Sequence, residues 1–226
     1  MAVTCMIGGN EAGDSLALEF GLSLARRLNA PMRALAALPD AGTALIYATS
    51  PYMIGVGGAA VDQVRKAQDE LVAGWREMFD KAVAAAGEGV DAEFEHYEAL
   101  TEQAAARAAI LSEALVFPRA AGGSGHTLSA AFEHVMMNAR LPMVLAGTRN
   151  LPDGPVMVAW DGSDEVARAV RLHLPLIRSA GRVIIAQNPK DAGGDALQTP
   201  ADAAALAAGR SHQGIGRETR TVEGPV

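Results

Sequence analysis

A single cysteine, Cys5, occurs in the 226 residues of the chain. One thiol cannot close an internal disulfide, so packing must hold the fold together, and a reducing cytoplasm is the expected compartment. Aromatic residues are scarce, at 4%. No apolar stretch approaches the roughly 20 residues that a membrane-spanning helix needs. The N-terminus has no basic segment followed by a long apolar run, so no signal peptide is read there. Positive charge is also in short supply, with 19 Lys and Arg against 26 Asp and Glu for a net charge of −7. A nucleic-acid partner would want a basic stripe, whereas Arg26-Arg27 and Arg65-Lys66 read as solvated helix positions. Hydrophobic residues make up 50% of the chain, enough for one large core or two small ones.

The chain does contain a repeat. Val156 to Trp160 is a short apolar run that leads into Asp161-Gly162-Ser163 and an amphipathic helix. The chain opens in the same way, with Val3 to Ile7 followed by Gly8-Gly9-Asn10 and a helix. If the first loop is slightly longer, Asp14-Ser15-Leu16-Ala17 aligns with Asp164-Glu165-Val166-Ala167, and the strand Met32 to Leu38 falls on Arg182 to Asn188. Strand, crossover helix and strand in that order imply parallel pairing.

Between the two copies, periodicity predicts further elements. Asp40 to Gly58 reads as a long connection, with Tyr47, Tyr52 and Met53 in it. Val61, Val64, Leu71, Trp75, Met78, Phe79 and Val83 form the apolar stripe of a helix over Ala59 to Ala86. Val90 to Tyr97 alternates as an edge strand would, with Asp91, Glu93 and Glu95 on its polar side. Thr101 is expected to cap a short helix, and Ile110 to Phe117 to form a fourth strand. The glycine cluster Gly122-Gly123-Ser124-Gly125 follows, then a helix over Thr127 to Asn138 and a fifth strand over Pro142 to Ala146. Gly147 to Pro155 reads as a linker. Beyond the second copy, Ala201 to Ala208 is expected to be helical and Glu218 to Val222 to supply a third strand.

Five parallel strands, a loop after strand one and a glycine-rich loop after strand four resemble the universal stress protein family. The resemblance implies an open, mostly parallel five-stranded α/β sheet with helices on both faces over residues 1–149. It also implies a linker and an incomplete second β-α-β repeat over 150–226. In that family an aspartate at the end of strand one and a Gly-x2-Gly-x9-Gly-(Ser/Thr) motif hold ATP at the carboxyl ends of the strands. Gly122 and Gly125 match the first half of the motif, but Val135-Met136 stand where Gly-(Ser/Thr) belongs. Gly8-Gly9-Asn10 replaces the aspartate, and Asp161 in the second copy lacks a glycine loop to complete a pocket.

The candidate nucleotide-binding residues are therefore Gly8, Gly9, Asn10, Gly122, Gly123, Gly125 and Asp161, in which glycine N–H groups would close on phosphate. Against this, the glycines serve equally as turns, and Ser163 after Asp161 serves as a helix N-cap. Ser124 is followed by Gly125-His126, which breaks the Gly-x-Ser-x-Gly nucleophile elbow, and the later Asp161 and His173 do not restore it. His126 and His134 lack partners at metal-ligand spacing. The expectation is a non-enzymatic stress-response or regulatory protein of the universal stress protein type. It is expected to act through association, as a homodimer, with nucleotide binding weak or lost and with no metal, nucleic acid or membrane involved. The alternative is an ATP- or AMP-binding module that uses the strand-one loop and the glycine loop. In the second copy, the opening strand is expected to have a free edge, because no fourth strand follows.

Overall fold

A computed structural model describes residues 1–48, 58–147, 154–187 and 216–221, with 47, 48 and 216–221 described in backbone only. The predicted linker residues 148–153, the helix over Ala201 to Ala208, Tyr52, Met53 and the Tyr47 side chain lie outside the described residues. The chain falls into two units, Met1–Asn150 and Leu151–Val226.

In the first unit, β1 (Ala2–Ile7), β2 (Met32–Leu38), β3 (Ala92–Glu98), β4 (Ser112–Phe117) and β5 (Met143–Leu145) form one sheet in the order β3-β2-β1-β4-β5. Every neighbouring pair is parallel. β1 and β2 are almost unbroken apolar runs, as suits strands covered on both faces. One face presents Met6, Leu35, Leu115 and Phe117, and against it pack the alanines of α4 (Thr101–Leu111) and Ala131 and Val135 of α5 (Ser129–Asn138). Phe117 and Phe132 meet edge to face at 5.5 Å between ring centroids. The other face carries α1 (Glu11–Leu28) and α3 (Gly58–Ala86), with Phe79 of α3 at 6.0 Å from Phe94 of β3. Helices on both faces of an open parallel sheet are the fold class expected from the sequence.

Several boundaries differ from the expected ones. The connection after β2 holds a helix, α2 (Ala41–Ala48). Asp40 starts it by accepting the Thr43 N–H at 3.0 Å. Thr101 is the first helical residue of α4, not its cap, because Leu100 holds the cap position and makes no side-chain hydrogen bond. Ile110 and Leu111 belong to the helix and not to the fourth strand, and both stay exposed. The turn is made at Ser112, whose hydroxyl donates to the Ala108 carbonyl at 2.7 Å and meets the Thr4 hydroxyl on β1 at 2.7 Å.

The second unit repeats the opening with β6 (Val156–Ala159), α6 (Asp164–Leu172), the short α7 (Leu174–Arg178), β7 (Arg182–Gln187) and β8 (Gly216–Thr221). The strands are parallel in the order β6-β7-β8, so among the described residues β6 is an edge strand. Val158, Trp160, Ala167, Val170, Ile177, Val183 and Ile185 form its core. Ser163 caps α6 as expected, accepting the Val166 N–H at 3.2 Å. The expected longer first loop is not a loop. Gly8 to Asn10 alone join β1 to α1, and the additional residues form a turn at the start of α1. Among the described residues no helix is long and apolar enough to cross a membrane.

Candidate functional site

In this strand order the chain leaves β1 toward β2 on one side and returns as β4 on the other. The carboxyl ends of β1 and β4 therefore flank the point where connections diverge, which is where open α/β sheets hold ligands. The loops that leave these two strands define the candidate site.

Ile7 is followed by Gly8 with φ +136°, a conformation that strongly favours glycine. Asn10 then caps α1, its side-chain oxygen accepting the Gly13 N–H at 2.8 Å. Asp14, one turn into the helix, folds back over the loop, and its Oδ2 accepts the N–H of Gly8 at 3.1 Å and of Gly9 at 2.9 Å. Asp14 is fully buried. Burial pushes its carboxyl up to about 6 from the usual 3.8, and the two glycine N–H groups pull against that rise. Beneath it, burial pushes the Cys5 thiol far above its ordinary range, and the Asp14 charge adds to the effect.

The loop after β4 crosses directly over this turn. Pro118 leads into a 3-10 turn at Arg119–Gly122, and Gly125 adopts φ +87°. Thr127 then donates its hydroxyl proton to the Gly8 carbonyl at 2.6 Å. Leu128 N–H donates to His126 Nδ1 at 3.1 Å, which leaves the ring proton of the neutral imidazole on Nε2. The imidazole lies against Gly9: a Cβ built there would collide with Nε2 and come within 3.4 Å of Asp14 Oδ1. Both of those atoms, Asp14 Oδ1 and His126 Nε2, are buried without a hydrogen-bond partner. Trp75 of α3 and Leu128 close the side at Gly8, each within 4 Å of where a Cβ would stand. From Gly9 a groove of about 560 Å³ runs outward between α1 and α3, past Glu11, Glu19, Glu70, Glu77 and Lys81.

Six of the sequence candidates thus lie in two touching loops, but each has a local employment. The N–H groups of Gly8 and Gly9 are taken by Asp14, and Asn10 is a helix cap. A Cβ on Gly122 would stand 2.7 Å from Leu145 of β5. Gly123 donates to the Ala120 carbonyl and accepts the Ser129 hydroxyl. Gly125 makes the left-handed turn, with no atom within 4 Å of a Cβ position there. Val135, where the family motif has glycine, is a buried residue of α5. Asp161 belongs to the other unit. It accepts the Ser163 N–H at 2.9 Å, and hydrogen bonds from Ser163 hold its exposed carboxyl below the usual range.

Sequence reasoning missed Asp14, His126 and Thr127 as partners in this site. The available signal was Asp14 itself, an acid on the face of α1 that also carries Ala17, Leu18 and Gly21, all buried. Among the described residues no three His, Cys, Asp or Glu side chains cluster as metal ligands.

The fold and its switch point define a class: an open parallel α/β sheet whose β1 and β4 loops are fastened together. No family model matches the chain, and no curated protein matches it. Solved structures do. A universal stress protein from Archaeoglobus fulgidus DSM 4304 aligns over 98% of this chain and 79% of its own, with a TM-score of 0.55 and 12% identity. A second universal stress protein structure from Archaeoglobus fulgidus aligns over 65% of this chain and 98% of its own, at a TM-score of 0.41 and 17% identity. A further one, in complex with dAMP, covers the same shares at a TM-score of 0.40 and 14% identity. The first of these likenesses shows that the chain has a universal-stress-protein-like fold.

Proposed function

We propose that this chain is a non-enzymatic stress-response or regulatory protein of the universal stress protein type, that it acts through association, and that its nucleotide binding is weak or lost. The observation that carries the second half is the carboxylate of Asp14. Paired N–H groups at the start of a helix are what phosphate uses, and here the chain supplies its own anion to them. An incoming phosphate would have to displace a tethered carboxylate and then meet its charge. Val135, which stands where the family motif has glycine, is committed to the core.

Support for association comes from exposed apolar side chains on the first unit: Ile110 at 77%, Leu111 at 63% and Met137 at 77% exposure. Large apolar residues grouped at the ends of α4 and α5 mark an interaction surface more often than a solvated one. Among the described residues β6 lies at the edge of its sheet, and the backbone groups of an edge strand invite a partner strand.

The second reading is an adenine-nucleotide module, for which the neighbour's dAMP complex gives the ligand class and the open space at Gly125 gives room. Calorimetric titration with ATP at pH 7.5 separates the two. We expect a Kd no tighter than ~0.1 mM, about 5 kcal/mol of binding free energy. Micromolar affinity would establish the module instead, and Gly125→Val should then abolish it by placing a branched side chain at a left-handed position.

A further inference from the structure

We propose that the segment from Gly123 to Leu128 is a pH-responsive strap over the β1 loop, shut while Asp14 holds a proton and lifted when that proton leaves. The inference goes beyond the reading of function above and does not depend on whether any nucleotide binds.

The strap is fastened at two points, Thr127 to the Gly8 carbonyl and the His126 ring against Gly9, and it contains a left-handed glycine at Gly125. When shut, it buries two polar atoms without partners, Asp14 Oδ1 and His126 Nε2. Oδ2 of Asp14 already accepts two N–H groups, so Oδ1 is the oxygen on which a proton resides. Loss of that proton leaves a charged oxygen that makes no hydrogen bond in the shut form. Unpaired buried charge is among the most unfavourable arrangements a fold can hold, and water is its simplest relief. The strap's His126 ring and Asp14 Oδ1 both lie against Gly9, and Asp14 is fully buried. Lifting the strap hydrates Oδ1 and Nε2 together.

Under the shut strap burial holds the Asp14 carboxyl at about 6, whereas a hydrated aspartate titrates near 3.8. Protonation therefore favours the shut form, and rising pH through about 6 favours the lifted one. The other titratable groups around Asp14 do not reverse this. The Cys5 thiol on β1 keeps its proton because it is buried. From α3 the uncharged Trp75 stands within 4 Å of a Cβ position on Gly8. Glu11 and Glu19 of α1 and Glu70, Glu77 and Lys81 of α3 line the groove outside Gly9, on the solvent side. His126 is the strap's own group.

Amide hydrogen exchange of Gly8, Gly9 and Leu128, corrected for intrinsic rates, reads the opening. Between pH 5 and pH 7 we expect their protection to fall about tenfold in the full chain. Asp14→Asn, a neutral isostere, should show the same protection at both pH values. A flat wild-type profile, or an equal slope in Asp14→Asn, overturns the proposal. If that variant does not fold, the carboxyl carbon of Asp14 can be titrated by NMR in the wild type and in His126→Ala. A midpoint near 6 that drops toward 4 when the imidazole is removed supports the strap. A wild-type midpoint near 3.8, or one that His126→Ala leaves in place, overturns it.

Discussion

Asp14 and Asp164 occupy the same place in the repeat and have opposite fates. Asp164 is the first helical residue of α6 and is exposed, while Asp14 lies one turn inside α1 and is fully buried. The added turn at the start of α1 draws the carboxylate down onto Gly8 and Gly9. An acid in the first turn of a helix ordinarily reads as a solvated partner of the helix dipole, which is why Asp14 was not legible as a site residue. The glycines were legible, but not what binds them. Because the folded-state pKa of Asp14 is raised to about 6, its contribution to stability is present in full below 3.8 and is lost as pH rises through 6. The shift corresponds to on the order of 3 kcal/mol. Urea unfolding at pH 4 and pH 7 should therefore show the wild type losing about that much more stability than Asp14→Asn. Parallel pH profiles for the two proteins would mean that Asp14 is hydrated in the folded chain.

Elements were legible where a polar or breaking residue coincided with a structural boundary. Met32 to Leu38 is bracketed by two prolines, Pro31 and Pro39, and the strand has those bounds. The end of α4 was not legible, because Ile110 and Leu111 are apolar and run straight toward the strand, yet both face solvent. Hydrophobicity alone cannot distinguish an exposed apolar surface from a core. The two opening strands also differ in environment. Met6 of β1 is fully buried in the middle of a sheet, whereas Val158 of β6 is buried on an edge strand whose neighbour Met157 is 66% exposed. Met6→Asp should leave the first unit unable to fold, since an unpaired buried carboxylate costs several kcal/mol, on the order of a small domain's stability. Val158→Asp should cost less and unfold the second unit alone. Two-step thermal melts that lose only one step in Val158→Asp would bear this out, and loss of both steps would show that the units fold together.

At the scale of the molecule, the open parallel sheet was legible from the order of elements. The contact between the β1 and β4 loops was not. It joins residues more than a hundred positions apart through Thr127 and Gly8, and no local pattern announces it. The second unit supplies three described strands and an edge at β6, an arrangement suited to covering by another chain. Removing Gly154 to Val226 should leave a folded first unit with an altered state of association. Light scattering of that deletion beside the whole chain checks it, and an identical oligomeric state would remove the second unit from the assembly.

The chain is proposed to work through its surfaces and not through a nucleotide cleft. Native mass spectrometry of the full chain, purified without added nucleotide, reads both halves of that claim at once. The expected result is the mass of a dimer with no small molecule retained. A monomer carrying one adenine nucleotide would contradict it.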